Sequence, residues 1–208
     1  MNEFDLKASG WDADPVHIAR SEAIAQEMLR YIPLTMSMKA LEFGSGTGIL
    51  SFLLKDRVKE IVLMDSSSEM LAVTKKKIDS SGVRNLKILN FDLENGSYDN
   101  GSFDLIFTQM VLHHVKNIGA ILVKFSALLN PGGYLAIADL YPEDGSFHGE
   151  GFTGYKGFDP DMIGKQLEKL DFSVETVREC FMIKRKSTDG TILSYPVFLL
   201  IATKKSNL

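Results

Sequence analysis

Five short apolar runs recur along the chain between segments of helical length, and that alternation constrains the fold more than any other feature. The runs are Met38–Phe43, Glu60–Asp65, Leu86–Phe91, Phe103–Thr108 and Tyr134–Leu140. They are nearly continuous in apolar residues rather than alternating, the pattern of strands covered on both faces, and so they predict a parallel sheet between two layers of helix. Asp14-Pro15, an acceptor followed by proline, predicts a helix start that runs to about Tyr31. Further helices are expected over Thr47–Lys55 and from a capping box with Ser66 as N-cap and Glu69 three residues on, stopping near Gly82. Another is expected over Asn117–Leu129, ended by Pro131-Gly132-Gly133, and a last one starts at Asp159-Pro160. A polar loop spans Glu94–Ser102 and a glycine-rich one Tyr141–Phe158. Two β-rich segments, Ser173–Lys186 and Thr191–Lys204, close the chain around Ser187-Thr188-Asp189-Gly190, whose Asp-Gly is a hairpin signal.

No repeat, low-complexity tract or linker divides the 208 residues, and a single α/β domain is expected. Within it, residues 1–36 read as an N-terminal lid and helix, 37–140 as a ligand-binding core, and 141–208 as a substrate-side loop, helix and hairpin. The net charge of −4 gives no electrostatic reason for a nucleic-acid partner. Lys75-Lys76-Lys77 and Lys184-Arg185-Lys186 read as solvated faces or strand ends. Cys180 is the single cysteine, so neither an intramolecular disulfide nor a cysteine metal cluster is expected. The start lacks the basic and apolar pattern of a signal peptide, and no run is long enough to span a membrane; no membrane association and a cytoplasmic location are the expectations.

Chemistry enters at Leu41-Glu42-Phe43-Gly44-Ser45-Gly46-Thr47-Gly48. Alternate glycines tighten a strand-to-helix turn and let backbone approach a ligand that a Cβ would exclude. In an open α/β sheet, ligands bind beyond the carboxyl ends of the strands. Two acids stand at the next such ends. Asp65 could accept from both hydroxyls of a ribose, and Asp92 from an adenine amino group. Each feature alone is compatible with an ordinary turn or a surface acid; three on consecutive strand ends point to a nucleoside-bearing ligand.

With these motifs the chain resembles the class I S-adenosylmethionine-dependent methyltransferases, in particular the branch of the ubiquinone and menaquinone biosynthesis C-methyltransferases. Glu42-Phe43-Gly44-Ser45-Gly46-Thr47-Gly48 is similar to that family's glycine loop, and Asp65-Ser66-Ser67-Ser68-Glu69-Met70-Leu71 to its second-strand pattern. Phe103-Asp104-Leu105-Ile106, Leu112-His113-His114 and Leu129-Asn130-Pro131-Gly132-Gly133 match further along, and Phe4 to Asp12 resembles the family's N-terminal segment, with Trp11 where Tyr is commoner. The resemblance implies a Rossmann-like, mostly parallel seven-stranded sheet with helices on both faces and a C-terminal antiparallel hairpin. It implies S-adenosylmethionine as cofactor, S-adenosylhomocysteine as product, and a small-molecule methyl acceptor as partner. By the same resemblance Gly44, Ser45, Gly46 and Gly48 pass the methionine part, with Glu42 orienting that loop or the methionine moiety rather than doing chemistry, and Gln109 near the amino group. Asp65, beside Ser66, holds the ribose, Asp92 and Leu93 read adenine, Met70 packs on the adenine ring, and Trp11 belongs to a lid.

Several subclasses lack their signatures. Thr108-Gln109-Met110-Val111 stands where nucleobase amino-methyltransferases carry an Asn/Asp-Pro-Pro-aromatic motif, and Cys180 is not placed for a covalent cytosine mechanism. No glutamate pair flanks the fourth strand as in arginine methyltransferases. A general base is sought first at His114, with His148 in reserve; packing at a polar rim is the competing role. His17 lies on the first helix with no evident link to the glycine loop. A metal held by histidines with Asp139 lacks close ligand spacing, and no metal is expected. Two other classes stay open. A nicotinamide oxidoreductase shares the glycine turn and acid, although its third glycine would fall at Ile49; a non-catalytic cofactor-binding regulator or partner subunit shares everything but the reaction.

Overall fold

Pro15–Tyr31 is helical because its first turn is prepared on both sides: Asp14 Oδ1 accepts from the Val16 amide at 2.8 Å, and Pro15 needs no amide partner there. This helix is α2 of the computed structural model, which describes residues 3–187 and 189–206. It follows α1 (Glu3–Lys7) and a 3₁₀ segment, Ala8–Ala13. The remaining helices are α3 (Ile49–Leu54), α4 (Ser68–Ser81), α5 (Ile118–Leu128) and α6 (Pro160–Glu168). The strands are β1 (Lys39–Phe43), β2 (Glu60–Asp65), β3 (Leu86–Asn90), β4 (Phe103–Gln109), β5 (Leu129–Leu140), β6 (Phe172–Lys186) and β7 (Ile192–Lys204).

The strands form one sheet in the order β3-β2-β1-β4-β5-β7-β6, parallel through β5 and antiparallel at β7. Side-chain alternation sends each strand to two cores. Ala40, Leu105 and Phe107 face Ile24 and Met28 of α2 and Leu50 and Leu54 of α3. Leu41 and Ile106, one residue out of phase, face Ile121 and Phe125 of α5 and Ile163 of α6. Two buried faces explain why the strands read as continuous apolar runs. The expected α/β class, a mostly parallel seven-stranded sheet with helices on both faces and a closing hairpin, is the observed one. Among the described residues, no helix is long and apolar enough to cross a membrane.

Several local expectations are corrected. The N-cap of α4 is Ser67, not Ser66: Ser67 has the extended backbone and its Oγ accepts from the Met70 amide at 3.1 Å. The Asp65 carboxylate has already turned the chain by accepting from the Ser67 amide, which delays the helix by one residue. Thr47 does not open α3, because Gly48 sits at φ +77° as its cap. Pro131-Gly132-Gly133 lies within β5 rather than before it: the register jumps from Phe103↔Leu129 to Leu105↔Tyr134, so these residues bulge out of a pairing that continues on both sides. The hairpin exists, but Thr188 of its turn lies outside the described residues.

Register also places the site. Leu140, the last residue of β5, pairs with Val197, while β7 begins at Ile192 and pairs there with Lys186. The β6–β7 hairpin therefore projects past the carboxyl end of β5. Tyr195 of that projection carries the loop after β5, through Phe147 at 5.1 Å between rings and through Ser146 Oγ at 2.8 Å.

Candidate functional site

The turn after β1 is shaped by what lies against it. Gly44 has φ +66°, and a Cβ there would stand 2.4 Å from Val111 Cγ2, so only glycine lets the segment after β4 close on it. Gly46 has φ +53° and a different surrounding: the nearest atom to a Cβ would be Met70 Sδ at 3.9 Å. Its bare face therefore opens into a cavity of about 460 Å³ at the carboxyl ends of the strands.

Gly44, Ser45 and Gly46 line this cavity, and Asp65, Ser66 and Met70 continue the wall from β2 into α4. Asp65 is fixed by backbone: Oδ2 accepts from the Gly46 amide at 2.7 Å and Oδ1 from the Ser67 amide at 2.8 Å. Each carboxylate oxygen keeps a second lone pair for a ligand hydroxyl. Burial raises the Asp65 pKa, opposed by these amides. Asp92 and Leu93 line the cavity beyond β3, where Asp92 also caps its own turn by accepting from the Glu94 amide at 2.9 Å and from Asn95 Nδ2 at 2.7 Å. Gln109, at the end of β4, reaches the wall with Oε1 accepting from Ser21 Oγ at 3.1 Å. The next residue, Met110, adopts φ 57°, a left-handed conformation that turns the chain sharply towards Val111 and His114.

The N-terminal segment covers the opening. Phe4, Lys7 and Trp11 line the cavity. Asp5 Oδ1 accepts from Ser67 Oγ at 2.6 Å, and Asp12 accepts from Lys77 Nζ at 2.7 Å and from Thr47 Oγ1. Lys77, expected on a solvated face, thus ties this segment to the glycine loop, since it also donates to the Thr47 carbonyl at 2.9 Å.

Two residues expected at the ligand do not line the cavity. Glu42 is fully buried beneath the turn, where Oε2 accepts from Ser51 Oγ and Oε1 has no partner among the described residues. Burial pushes its pKa up to about 8, countered by Ser51. Gly48 is a packing glycine: a Cβ there would stand 2.7 Å from Leu63 Cδ2.

The histidines converge without any sequence spacing that announces it. His113 is buried, with Nδ1 2.6 Å from Asp139 Oδ1, a carboxylate that also accepts from the Leu140 amide at 2.8 Å. His114 turns to the cavity, and the loop after β5 brings His148 to 5.1 Å from it, ring to ring. Burial, with the charges of His113 and His148 behind it, lowers the His114 pKa to about 3. Ligating atoms of the three histidines lie within 4.8 Å of one another, but Lys7, Arg20 and Arg185 line the same cavity and oppose a bound cation.

Sequence reasoning missed much of this end. His17 belongs to the wall after all: the 3₁₀ turn folds Trp11 back so that its carbonyl lies 2.9 Å from His17 Nδ1 and the two rings stack at 4.1 Å. Arg20 is 6% exposed, with Nε lacking a partner among the described residues. Burial lowers its pKa to about 10, with Asp139 acting the other way, so it stays cationic at neutral pH. Arg185, read as part of a solvated run, reaches the cavity rim from the projecting hairpin with its guanidinium 3.8 Å over the Phe147 ring. An arginine on a helix and another in a basic run carry no local signal; only the fold brings them together.

The fit to S-adenosylmethionine is favourable on these observations. The bare face of Gly46, the anchored Asp65 carboxylate and the buried Met70 thioether form a cradle for a nucleoside with a thioether-linked tail.

Comparison with known proteins agrees in kind. Residues 41–137 match the family described as methyltransferase domain, a little under half of the chain. The chain is 31% identical over 142 residues to an uncharacterized methyltransferase of Schizosaccharomyces pombe, covering 61% of this chain and 50% of that protein. It is 24% identical over 203 residues to a malonyl-[acyl-carrier protein] O-methyltransferase of Laribacter hongkongensis, covering 92% of this chain and 66% of the relative. Against the solved structure of an S-adenosylmethionine-dependent methyltransferase from Aquifex aeolicus the TM-score is 0.65 at 20% identity, over 92% of this chain and 98% of that one, a likeness of fold. The chain spans about half the length of the fission-yeast relative.

Proposed function

The family match and the fold support a methyltransferase, and on that premise we propose that this chain binds S-adenosylmethionine between the glycine loop and Asp65 and transfers its methyl group to a small-molecule acceptor in the same cavity. The observation that carries the proposal is the single cavity wall running from Gly46 and Asp65 to His114 and Arg185. Donor and acceptor would meet there without crossing solvent.

When bound, the cofactor supplies a methyl on a sulfonium, an electrophile that needs no further activation. The protein's share is alignment and the handling of one proton. Asp65 holds a ribose by its two remaining lone pairs, and the absent Gly46 side chain leaves room for the chain beyond it. Met70, Asp92 and Leu93 serve the base, and Gln109 the amino-acid end. Phe4 and Trp11 cover the opening and exclude water. His114 is neutral throughout the physiological range and so can accept the proton that an oxygen or carbon nucleophile sheds, with His148 beside it as the alternative. Within this proposal, the resemblance of the motifs to those of the ubiquinone and menaquinone C-methyltransferases supports that branch.

Calorimetric titration with S-adenosylhomocysteine and with NAD tests it. Binding of the first without the second is expected. Tight NAD binding with none of S-adenosylhomocysteine would replace the proposal by the nicotinamide reading.

A further inference from the structure

The cavity is charged in opposite senses at its two ends. Asp65, Asp92 and Glu94 stand at the ends of β2 and β3, on one side of the sheet order. On the other side, α2 and the β6–β7 hairpin bring Arg20 and Arg185, with His17 beside them. Asp139 and Asp14 act on Arg20 through space, and Asp14 also on Arg185 and on His17, whose Nε2 lies 3.9 Å from Asp14 Oδ2. Their hydrogen bonds go to other groups, Asp139 to His113 and the Leu140 amide and Asp14 to the Val16 amide. A cationic pocket in a chain of net charge −4 is a local construction, not a by-product of composition.

We infer that the methyl acceptor is a small organic oxyanion, a carboxylate or a phosphate ester, held between Arg20 and Arg185. The inference deepens the proposed function and rests on it, since it takes this cavity to hold donor and acceptor together.

Arg20 is the strongest reason. A guanidinium is a planar fork of donors matched to a carboxylate or phosphate, and Arg20 is buried in the wall with Nε unmatched by any described residue. Arg20 lines the cavity, so an oxyanion there would gain a charge-assisted contact with its guanidinium. Arg185 faces the same space. Its charge is felt at Arg20 and at His17, its plane is fixed on the Phe147 ring, and Nη1 donates to the Phe147 carbonyl. Its other donors remain for a ligand. Phe4, Trp11 and Phe147 supply apolar walls for the organic part. An anion here would also favour the protonated form of His114, returning basicity that burial and its cationic neighbours remove.

Trp11, the only tryptophan, lines this cavity and reports on it. Protein saturated with S-adenosylhomocysteine is titrated at constant ionic strength with hexanoate, with inorganic phosphate and with neutral hexanamide, following Trp11 fluorescence. A saturable response to an anion, with none to hexanamide, is expected; hexanoate or phosphate as the tighter probe separates a carboxylate from a phosphate acceptor. Arg185→Gln and Arg20→Gln should each weaken that binding by about 10-fold or more while S-adenosylhomocysteine affinity stays unchanged. If Arg20→Gln does not fold, Arg185→Gln at the exposed rim carries the test. No saturable response to either anion, or equal anion affinity in wild type and Arg185→Gln, overturns the inference. Failure to bind S-adenosylhomocysteine at the outset strikes the proposed function instead.

Discussion

At the β2 end of the cavity, Asp65, Gly46 and Ser67 are locked to one another by two backbone hydrogen bonds, 2.7 and 2.8 Å long, within two strand-to-helix turns. At the hairpin end, Arg20, His114, His148 and Arg185 arrive from α2, the segment after β4, the loop after β5 and β6. The first end is local and rigid, made of turns that the backbone itself requires. The second is assembled by tertiary packing, through contacts such as the His114 and His148 rings 5.1 Å apart. One end can be shared by any enzyme with the same donor, while the other is free to vary with the acceptor.

The comparison predicts different failures at the two ends. The largest is at the hairpin end. His114→Asn should cut turnover by about 10²-fold, the low side of what a positioned base contributes, because an imidazole held near 3 is a weak base. S-adenosylhomocysteine affinity should not change. The free protein's His114 is already neutral, so the loss in kcat/KM should be the same at about pH 6 and about pH 8. Full turnover in both His114→Asn and His148→Asn would leave alignment alone as the catalytic contribution of this end.

The next effect is structural and belongs to the glycine turn. Gly44→Ala places a methyl 2.4 Å from Val111 at φ +66° and should cost about 2 kcal/mol or more in urea unfolding. Gly10→Ala, with no atom within 4 Å of the new methyl, should stay within about 0.5 kcal/mol of wild type. Equal losses would mean that Val111 and the turn move apart easily, and the rigid end would lose its distinction.

The smallest concerns Glu42 beneath the turn. The folded protein keeps its proton up to about pH 8, whereas an unperturbed carboxyl releases it near 4.5. The native state therefore binds the extra proton between those values, and stability falls as pH rises through that window. Glu42→Gln abolishes the titration, so its melting temperature should vary less across the window than that of wild type. An unchanged slope would show that Glu42 does not carry it.

The same contrast explains what could be read without the fold. The glycine turn, Asp65 and Asp92 sit at the ends of apolar runs, so periodicity alone marks where each strand stops and which residue points past it. The sheet was equally accessible, because strands buried on both faces cannot hide their composition. Small shifts escaped: Asp65 turning the chain moved a cap from Ser66 to Ser67, and a bulge absorbed Pro131 to Gly133 into β5. The hairpin end escaped more fully. Arg20 looks like any polar residue of an amphipathic helix until α2 lies on the sheet, and Arg185 is one of three basic neighbours until the hairpin overhangs β5. His113, His114 and His148 meet only through the loop after β5.

The central claim is that the β2 end holds the cofactor through Asp65. Calorimetric titration of wild type and Asp65→Ala with S-adenosylhomocysteine tests it most directly. Loss of the hydroxyl contacts to a charged acceptor should weaken binding by roughly 1.5–3 kcal/mol, about 10- to 100-fold, with the variant still folded. Equal affinity in a folded Asp65→Ala protein would contradict the account.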